Sequence, residues 1–454
     1  MLKSYFKLAI RNLFKHKMTS FINVFGLSVA VGCCIFGFLF LNRHYTLDEF
    51  HENAERIFLI QNTISVKGDV QTWGNSPMPL GPALQNDFPQ IKRVVRMNHQ
   101  SATVRYNDNY FHETIQFADD GFLEMFNFPL MMGDKAALQD RNAIILNEET
   151  AQRYFGEENP LGKELIVYFN NTEKAAFFVR GVAAEFPQNA SFQFSMLANY
   201  EKQFDANLVE AGDWQRLTSA TFLELTDHRQ VSAIADAGGR YIELQNAADA
   251  DRPMTAFVME PLLDMGRNAY KVRGDICSIA VEPSQVISMF LSSFFLLLLA
   301  CFNYMNIGIV SATLRLKEIG IRKVSGSSRL QLIRQFLTEN IILCFITLVL
   351  GILLAEYVFV PGFNNAFGVF DLALDITTNT QLWFFLAMLL LITGIGAGAY
   401  PAFYISKFQP VTIFGGNQTI KGRRIFTRIL LGGNDGFAII RRPLSGEKLS
   451  HRCG

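Results

Sequence analysis

The sequence predicts an α-helical membrane protein with four transmembrane helices and one α+β extracytoplasmic domain. Three observations predict it. Of the 454 residues, 50% are hydrophobic and only 18% are charged, and the mean hydropathy is +0.17. The apolar residues gather in four largely uncharged stretches near the ~20 residues that cross a hydrocarbon core. Lys and Arg concentrate beside alternate ends of those stretches, as orientation in a membrane requires. This composition excludes general disorder. With 41 basic and 41 acidic residues, it also removes the sequence-wide case for a nucleic-acid partner.

Residues 1–18 carry Lys3, Lys7, Arg11, Lys15 and Lys17 with no acidic residue, beside an apolar stripe of Leu2, Phe6, Ile10, Leu13 and Phe14. That spacing predicts a cytoplasmic amphipathic helix lying on anionic lipid, either as a lever or as a passive anchor. The first span covers 19–41. Its apolar run is too long for a cleavable signal, and Arg43-His44-Tyr45 stands where a small-residue cleavage site would, so it reads as a retained anchor. The second span covers 284–312, the third 340–360 and the fourth 381–406. Glu356 lies four residues from the end of the third, where its carboxylate is expected to reach the interface. The 313–339 loop is basic, the short 361–380 loop has no Lys or Arg, and basic residues return in the 407–454 tail. The termini and the 313–339 loop are therefore expected in the cytoplasm, with 43–283 and 361–380 outside.

The 43–283 block reads as a folded α+β domain of two subdomains, with a weaker polar stretch near 226–252. Strand-like runs at Ala143–Leu146, Leu165–Phe169 and Ala176–Val182 flank a helix-like Glu148–Phe155. Turn signals stand at Gly133-Asp134, Asn159–Gly162 and Phe186–Asn189. Cys277 is the only cysteine expected outside the membrane and cytoplasm, so the domain must rely on its apolar core. No phosphate-binding G-x-x-x-x-G-K-[ST] sequence occurs. His44 and His51, with Glu52 and Glu55 nearby, lack a third ligand and read as a solvated continuation of the first helix. Asp119-Asp120 reads as a turn. Neither a catalytic cluster nor a resident cofactor is expected.

Arg315–Ser328 interleaves charged and aliphatic residues up to Val324, then breaks at a Ser/Gly cluster before Arg329–Glu339 resumes a helix. This segment resembles the cytoplasmic signature of FtsX-like ABC transporter permeases. Phe50–Ile57, Tyr154–Lys163, Cys301–Asn306 and Gly398–Ser406 are similar to the version with a MacB-type periplasmic core domain. The resemblance runs from residue 1 to about 424 in the same order as the spans. It implies a separate cytoplasmic ABC ATPase that binds the ATP, a second permease copy, and a periplasmic adaptor as a further partner. It also implies mechanotransmission, in which the ATPase moves the outer domain to export or extract a substrate. A non-transporting relay to a cell-wall hydrolase or sensor kinase is the alternative. Under that resemblance Lys317–Gly326 is the coupling helix. Ile319 and Val324 would supply apolar contacts, and Lys317, Glu318, Arg322 and Lys323 would set charge and orientation. Gly320 would allow close approach and Gly326 would end the helix. Gly394, Gly396 and Gly398 before Pro401 would allow close packing and a kink in the fourth span, with ordinary packing the favoured reading.

Family character fades near Leu430, and the tail from about 431 is Gly- and Arg-rich, so a half-length or frame-disrupted form is expected. The zero net charge is a cancellation. Segments 1–18, 313–337 and 406–454 together carry +17, and block 43–283 carries −13.

Overall fold

A computed structural model describes residues 17–406 except 67–68, 171–172, 207, 211, 275, 278–279, 315–319, 322–323, 325, 327, 368–371 and 378. The expected 1–18 amphipathic helix, apart from its last two residues, and the 407–454 tail lie outside the described residues.

The longest helices are α1 (Lys17–Tyr45), α2 (Pro283–Leu314), α3 (Arg329–Leu354) and α4 (Thr380–Ser406). From Ala355 to Phe359, α3 continues as a π turn and then as an α-helix, Val360–Phe367. Glu356 sits in that π turn, eleven residues before the helix ends instead of four from the end of a span. Three stretches, Ser20–Tyr45, Pro283–Val310 and Arg329–Phe367, are long and apolar enough to cross a membrane. Of the four expected spans, three are seen in full among the described residues. The described apolar part of α4 is Thr380–Gly396, shorter than the other three, so a fourth crossing is not established.

The chain divides into two compact units. The larger spans 24–300 and 345–389. Within it, α1 and the end of α3 cross closely because glycines face each other. A Cβ on Gly351 would meet Val31 Cγ1 at 2.5 Å, and one on Gly32 would meet Phe359 Cε2 at 2.8 Å and the Gly351 carbonyl at 3.0 Å. Such small-residue contacts let helix backbones approach where apolar burial alone gives little selectivity. Phe36 and Phe40 pack edge-on against Phe363.

The rest of that unit is an α+β domain. Its strands are β1 (Ile57–Val66), β2 (Asp69–Trp73), β3 (Ser76–Pro77), β4 (Ile91–Tyr106), β5 (Asn109–Ala118), β6 (Leu130–Gly133) and β7 (Ala143–Asn147). They continue with β8 (Glu164–Tyr168), β9 (Lys174–Ala183), β10 (Met196–Asn199), β11 (Leu217–Thr218), β12 (Ala220–Leu225), β13 (Met254–Pro261) and β14 (Val272–Arg273). Among the described residues, twelve form one sheet in the order β14-β2-β1-β12-β4-β5-β10-β7-β9-β6, with β13 on β1 and β8 bridging β4 and β9.

Both faces of this sheet are covered. Alternation along β1 sends Ile57 and Leu59 to one core and Phe58, Ile60 and Ile64 to another. Along β7, Ile145 joins the first core, while Ile144 and Leu146 join a third. The first core holds many of the domain's phenylalanines. Phe126 lies with ring centroids 5.1 Å from Phe122, 5.2 Å from Phe192 and 5.1 Å from Phe222, in the tilted and edge-on geometries aromatic rings prefer. Helix Glu148–Phe155 starts where Asn147 accepts a hydrogen bond from the Thr150 amide at 2.9 Å and stops at Gly156, φ 59°. The polar 226–252 stretch is ordered. It forms helices Val231–Asp236 and Gly239–Ala248, anchored by buried Ile234 and Tyr241.

Among the described residues, the smaller unit spans 17–23, 301–344 and 390–406. Here Asn340 is buried and donates from Nδ2 to the Gly394 carbonyl at 2.5 Å. A Cβ on Gly398 would lie 2.3 Å from that same Nδ2, whereas one on Gly396 would meet nothing within 4 Å.

Candidate functional site

Two regions stand out among the described residues. The first is the proposed coupling segment. Of its eight singled-out residues, Lys317, Glu318, Ile319, Arg322 and Lys323 lie outside the described residues. Gly320 is helical and buried, Val324 is 71% exposed, and Gly326 adopts φ 94°, a left-handed turn that suits glycine. Ile321 is 59% exposed and stands three residues before Val324, the spacing that places both on one helical face. Sequence reasoning passed over Ile321 in favour of Ile319. Helix α3 then begins with a reciprocal cap: the Gln331 amide donates to Ser328 Oγ at 3.3 Å, and the Ser328 amide donates to Gln331 Oε1 at 2.9 Å.

The second region is the joint between α1 and the α+β domain, which no local sequence signal marked. The last turn of α1 closes with the Thr46 amide and hydroxyl both donating to the Asn42 carbonyl, at 3.0 and 2.9 Å. The chain then reverses at Asp48, whose φ of 61° is a left-handed conformation that aspartate tolerates better than most residues. Asp48 is fully buried. Its amide donates to the Asn189 carbonyl at 2.8 Å, and its Oδ1 accepts from the Ser191 amide at 2.9 Å. Asn189 Nδ2 donates back to the Thr46 carbonyl at 2.6 Å, and Arg43 Nε donates to the Gln188 carbonyl at 2.8 Å.

Burial pushes the Asp48 carboxyl up to about 6, against the Ser191 hydrogen bonds and the Arg43 charge that favour the ionised form. His51 is equally enclosed. Its Nδ1 accepts from the Asn127 amide at 3.0 Å, and its ring packs against Phe50, Phe126 and Phe128. Burial pulls it down to about 4, so it is neutral at pH 7 with its proton on Nε2. The reading of His44 and His51 as a solvated helical continuation is corrected: the helix ends at Tyr45 and both side chains are buried. The signal available was Phe50 beside His51, an apolar neighbour unsuited to a solvated face.

The same joint reaches the chain after α3. Gln188 Oε1 accepts from the Ala373 amide at 3.1 Å, and Asn364 pairs with both backbone groups of Leu372. A cleft of about 570 Å³ opens beside these contacts, lined by Arg43, Glu185, Asn189, Asp375 and Asn379 among others.

Asp119 ends β5 at a turn and binds the Arg96 guanidinium, Oδ1 at 2.8 Å and Oδ2 at 3.0 Å, and Arg96 also reaches Glu201 at 3.0 Å. This ties neighbouring strands and is a structural latch. Among the described residues, no three His, Cys, Asp or Glu side chains are grouped to hold a metal ion.

Comparison with known proteins follows the same division. A model of the MacB-like periplasmic core domain matches residues 20–240, and a model of the FtsX-like permease C-terminal region matches 290–410. A pyoverdine export ATP-binding/permease protein, PvdT of Pseudomonas aeruginosa, is 24% identical over 351 residues, covering 74% of this chain and 48% of that protein. The ABC transporter permease YknZ of Bacillus subtilis is 22% identical over 367 residues, covering 76% and 83%. The macrolide export ATP-binding/permease protein MacB of Aggregatibacter actinomycetemcomitans is 28% identical over 220 residues, covering 48% and 30%. The chain spans about half the length of the PvdT proteins it matches. Among solved structures, the periplasmic region of MacB from Actinobacillus actinomycetemcomitans matches with 17% identity and a TM-score of 0.33, covering 46% of this chain and 90% of that one. A permease domain from Porphyromonas gingivalis matches with 20% identity and a TM-score of 0.38, covering 46% and 91%. The two family models fall in chain order on the α1–domain part and on the α2–α4 part. The chain is a membrane protein belonging to the FtsX/MacB-type ABC transporter permeases.

Proposed function

We propose that this chain is the transmembrane subunit of an ABC transporter, coupling ATP hydrolysis in a separate cytoplasmic ATPase to movement of its α+β domain. In this reading it sits in a bacterial inner membrane with both termini cytoplasmic and the α+β domain outside. It pairs with a second permease copy and exports or extracts a substrate by mechanotransmission, with a periplasmic adaptor as a further partner. ATP is bound by the ATPase, and the chain itself catalyses nothing.

The observation that carries the reading is the exposed apolar pair Ile321 and Val324, bounded by the Gly326 turn and the Ser328 cap. Two exposed aliphatic side chains in a stretch whose sequence also carries Lys317, Arg322 and Lys323 suit a partner groove that is apolar at its floor and acidic at its rim. Whole-chain charge supports the orientation, since the segments placed in the cytoplasm carry the +17 and the domain placed outside carries the −13. The names of the PvdT and MacB relatives join an ATP-binding part to a permease part.

Co-purification with a candidate ATPase tests the proposal. Ile319→Asp and Val324→Asp are expected to weaken association more than tenfold and to abolish stimulation of ATP hydrolysis. Association and stimulation left intact in both variants would contradict the coupling assignment.

A further inference from the structure

The segment from Phe186 to Ser191 is held from three sides at once. It connects β9 to β10, two interior strands of the sheet. On the sheet side, Phe186 packs against Phe128 and Phe194 with centroids 5.2 and 4.9 Å apart, and Ala190 is buried in the aromatic core. Toward the exit of α1 it makes four hydrogen bonds, through Gln188, Asn189 and Ser191 to Arg43, Thr46 and both the amide and the carboxylate of Asp48. Toward the chain after α3 it makes one, from the Ala373 amide to Gln188 Oε1. All these residues belong to the larger unit.

We propose that residues 186–191 are a coupling strap through which displacement of α1 or of the 372–375 segment reaches the β-sheet, with Asp48 as the residue that positions it. The physical reason is stiffness. A loop joining two strands usually runs free over the surface, whereas this one has its backbone fixed at Gln188, Asn189 and Ser191 by groups from outside the sheet. Asp48 is suited to the positioning role because it is buried, sits at a left-handed φ, and uses both its amide and its carboxylate on the strap. Moving α1 without moving the strap would strand a buried carboxylate and a buried Ser191 amide, so the two travel together.

The inference deepens the mechanical reading given above and rests on it for its purpose. The geometry and the test involve this chain alone.

Hydrogen exchange of the full chain in lipid nanodiscs tests it. Asp48→Gly keeps the φ of 61° accessible while removing the carboxylate, and Asp48→Asn keeps an acceptor for the Ser191 amide. In the glycine variant, exchange is expected to rise at least tenfold in peptides covering 187–191 and also in those covering 372–377, which Asp48 does not touch. The asparagine variant is expected to restore both. Exchange in strands 143–147 and 177–182 reports whether the sheet is intact. If the glycine variant loses those strands, Asn189→Ala, which removes only the bond to the Thr46 carbonyl, is expected to give the same spread. A rise confined to 187–191, or an asparagine variant that behaves like glycine, would overturn the proposal. Neither outcome bears on ATPase association, so failure here is distinguishable from failure of the coupling-segment assignment.

Discussion

The joint at the end of α1 and the segment before α3 are opposites. At the joint, polar groups are buried and most are bonded: Asp48, Asn189 and Ser191 satisfy one another's backbones, and Gly32 and Gly351 bring helices into contact. Before α3, apolar groups are bare, with Ile321 and Val324 facing outward; in α4, Gly396 likewise faces open space. Of the membrane-length stretches, Ser20–Tyr45 is more buried within the protein than Pro283–Val310. A chain that completes one region internally and leaves another open teaches where its own fold ends and where lipid or partners begin. Buried polar groups must be matched within the molecule because their desolvation is costly. Exposed aliphatic ones are an invitation to something else.

The largest effect comes from breaking the completed side. Gly351→Leu drives a side chain into Val31 and the Gly32 backbone, where nothing flexible can yield on the Gly32 side. The expected outcome is loss of the monodisperse folded protein, or a destabilisation above about 3 kcal/mol in detergent thermal unfolding. The matched control on the open side, Gly396→Leu, is expected to fold normally. Equal behaviour of the two would remove the contrast.

A smaller effect sharpens the chemistry of the joint. The Asp48 carboxyl is pushed from a usual value near 3.8 up to about 6, so the folded state holds that proton more tightly than the unfolded chain. Stability from this group is therefore lost as pH rises from about 4 to 6. His51 is pulled from 6.5 down to about 4, so the unfolded chain binds the proton more tightly and stability rises across almost the same window. The two slopes oppose each other. Relative to wild type, Asp48→Asn is expected to gain stability as pH rises from 4 to 6, and His51→Asn to lose it, each by on the order of 2 kcal/mol. Thermal unfolding at pH 4, 5 and 6 reads this directly, and slopes of the same sign in both variants would contradict it.

How much of this was legible beforehand depends on range in the chain. Helix Glu148–Phe155 was readable because its signals are local: Asn147 and Gly156 cap it, and Ala151, Tyr154 and Phe155 repeat at helical spacing. The apolar spans and the basic loops were readable for the same reason. The joint was not. Asp48 and Ser191 are 143 residues apart, and nothing near Asp48 announces that its carboxylate will be enclosed. Reading His51 as solvated failed on the same ground, since the rings that bury it include Phe126 and Phe128 from another part of the chain. In the proposed coupling segment the motif was legible, while the exposed Ile321 emerged only from the folded backbone.

The proposed function requires the α+β domain and the 320–326 segment to lie on opposite sides of one membrane. Tyr110 and Val324 are 61% and 71% exposed and sit in those two regions, so each tolerates replacement by cysteine. The measurement is labelling of Tyr110→Cys and Val324→Cys, each in a background lacking the native cysteines, with a membrane-impermeant maleimide before and after permeabilising spheroplasts. The account predicts that position 110 labels at once and position 324 labels only after permeabilisation. Labelling of both in intact spheroplasts, or of 324 alone, would contradict it.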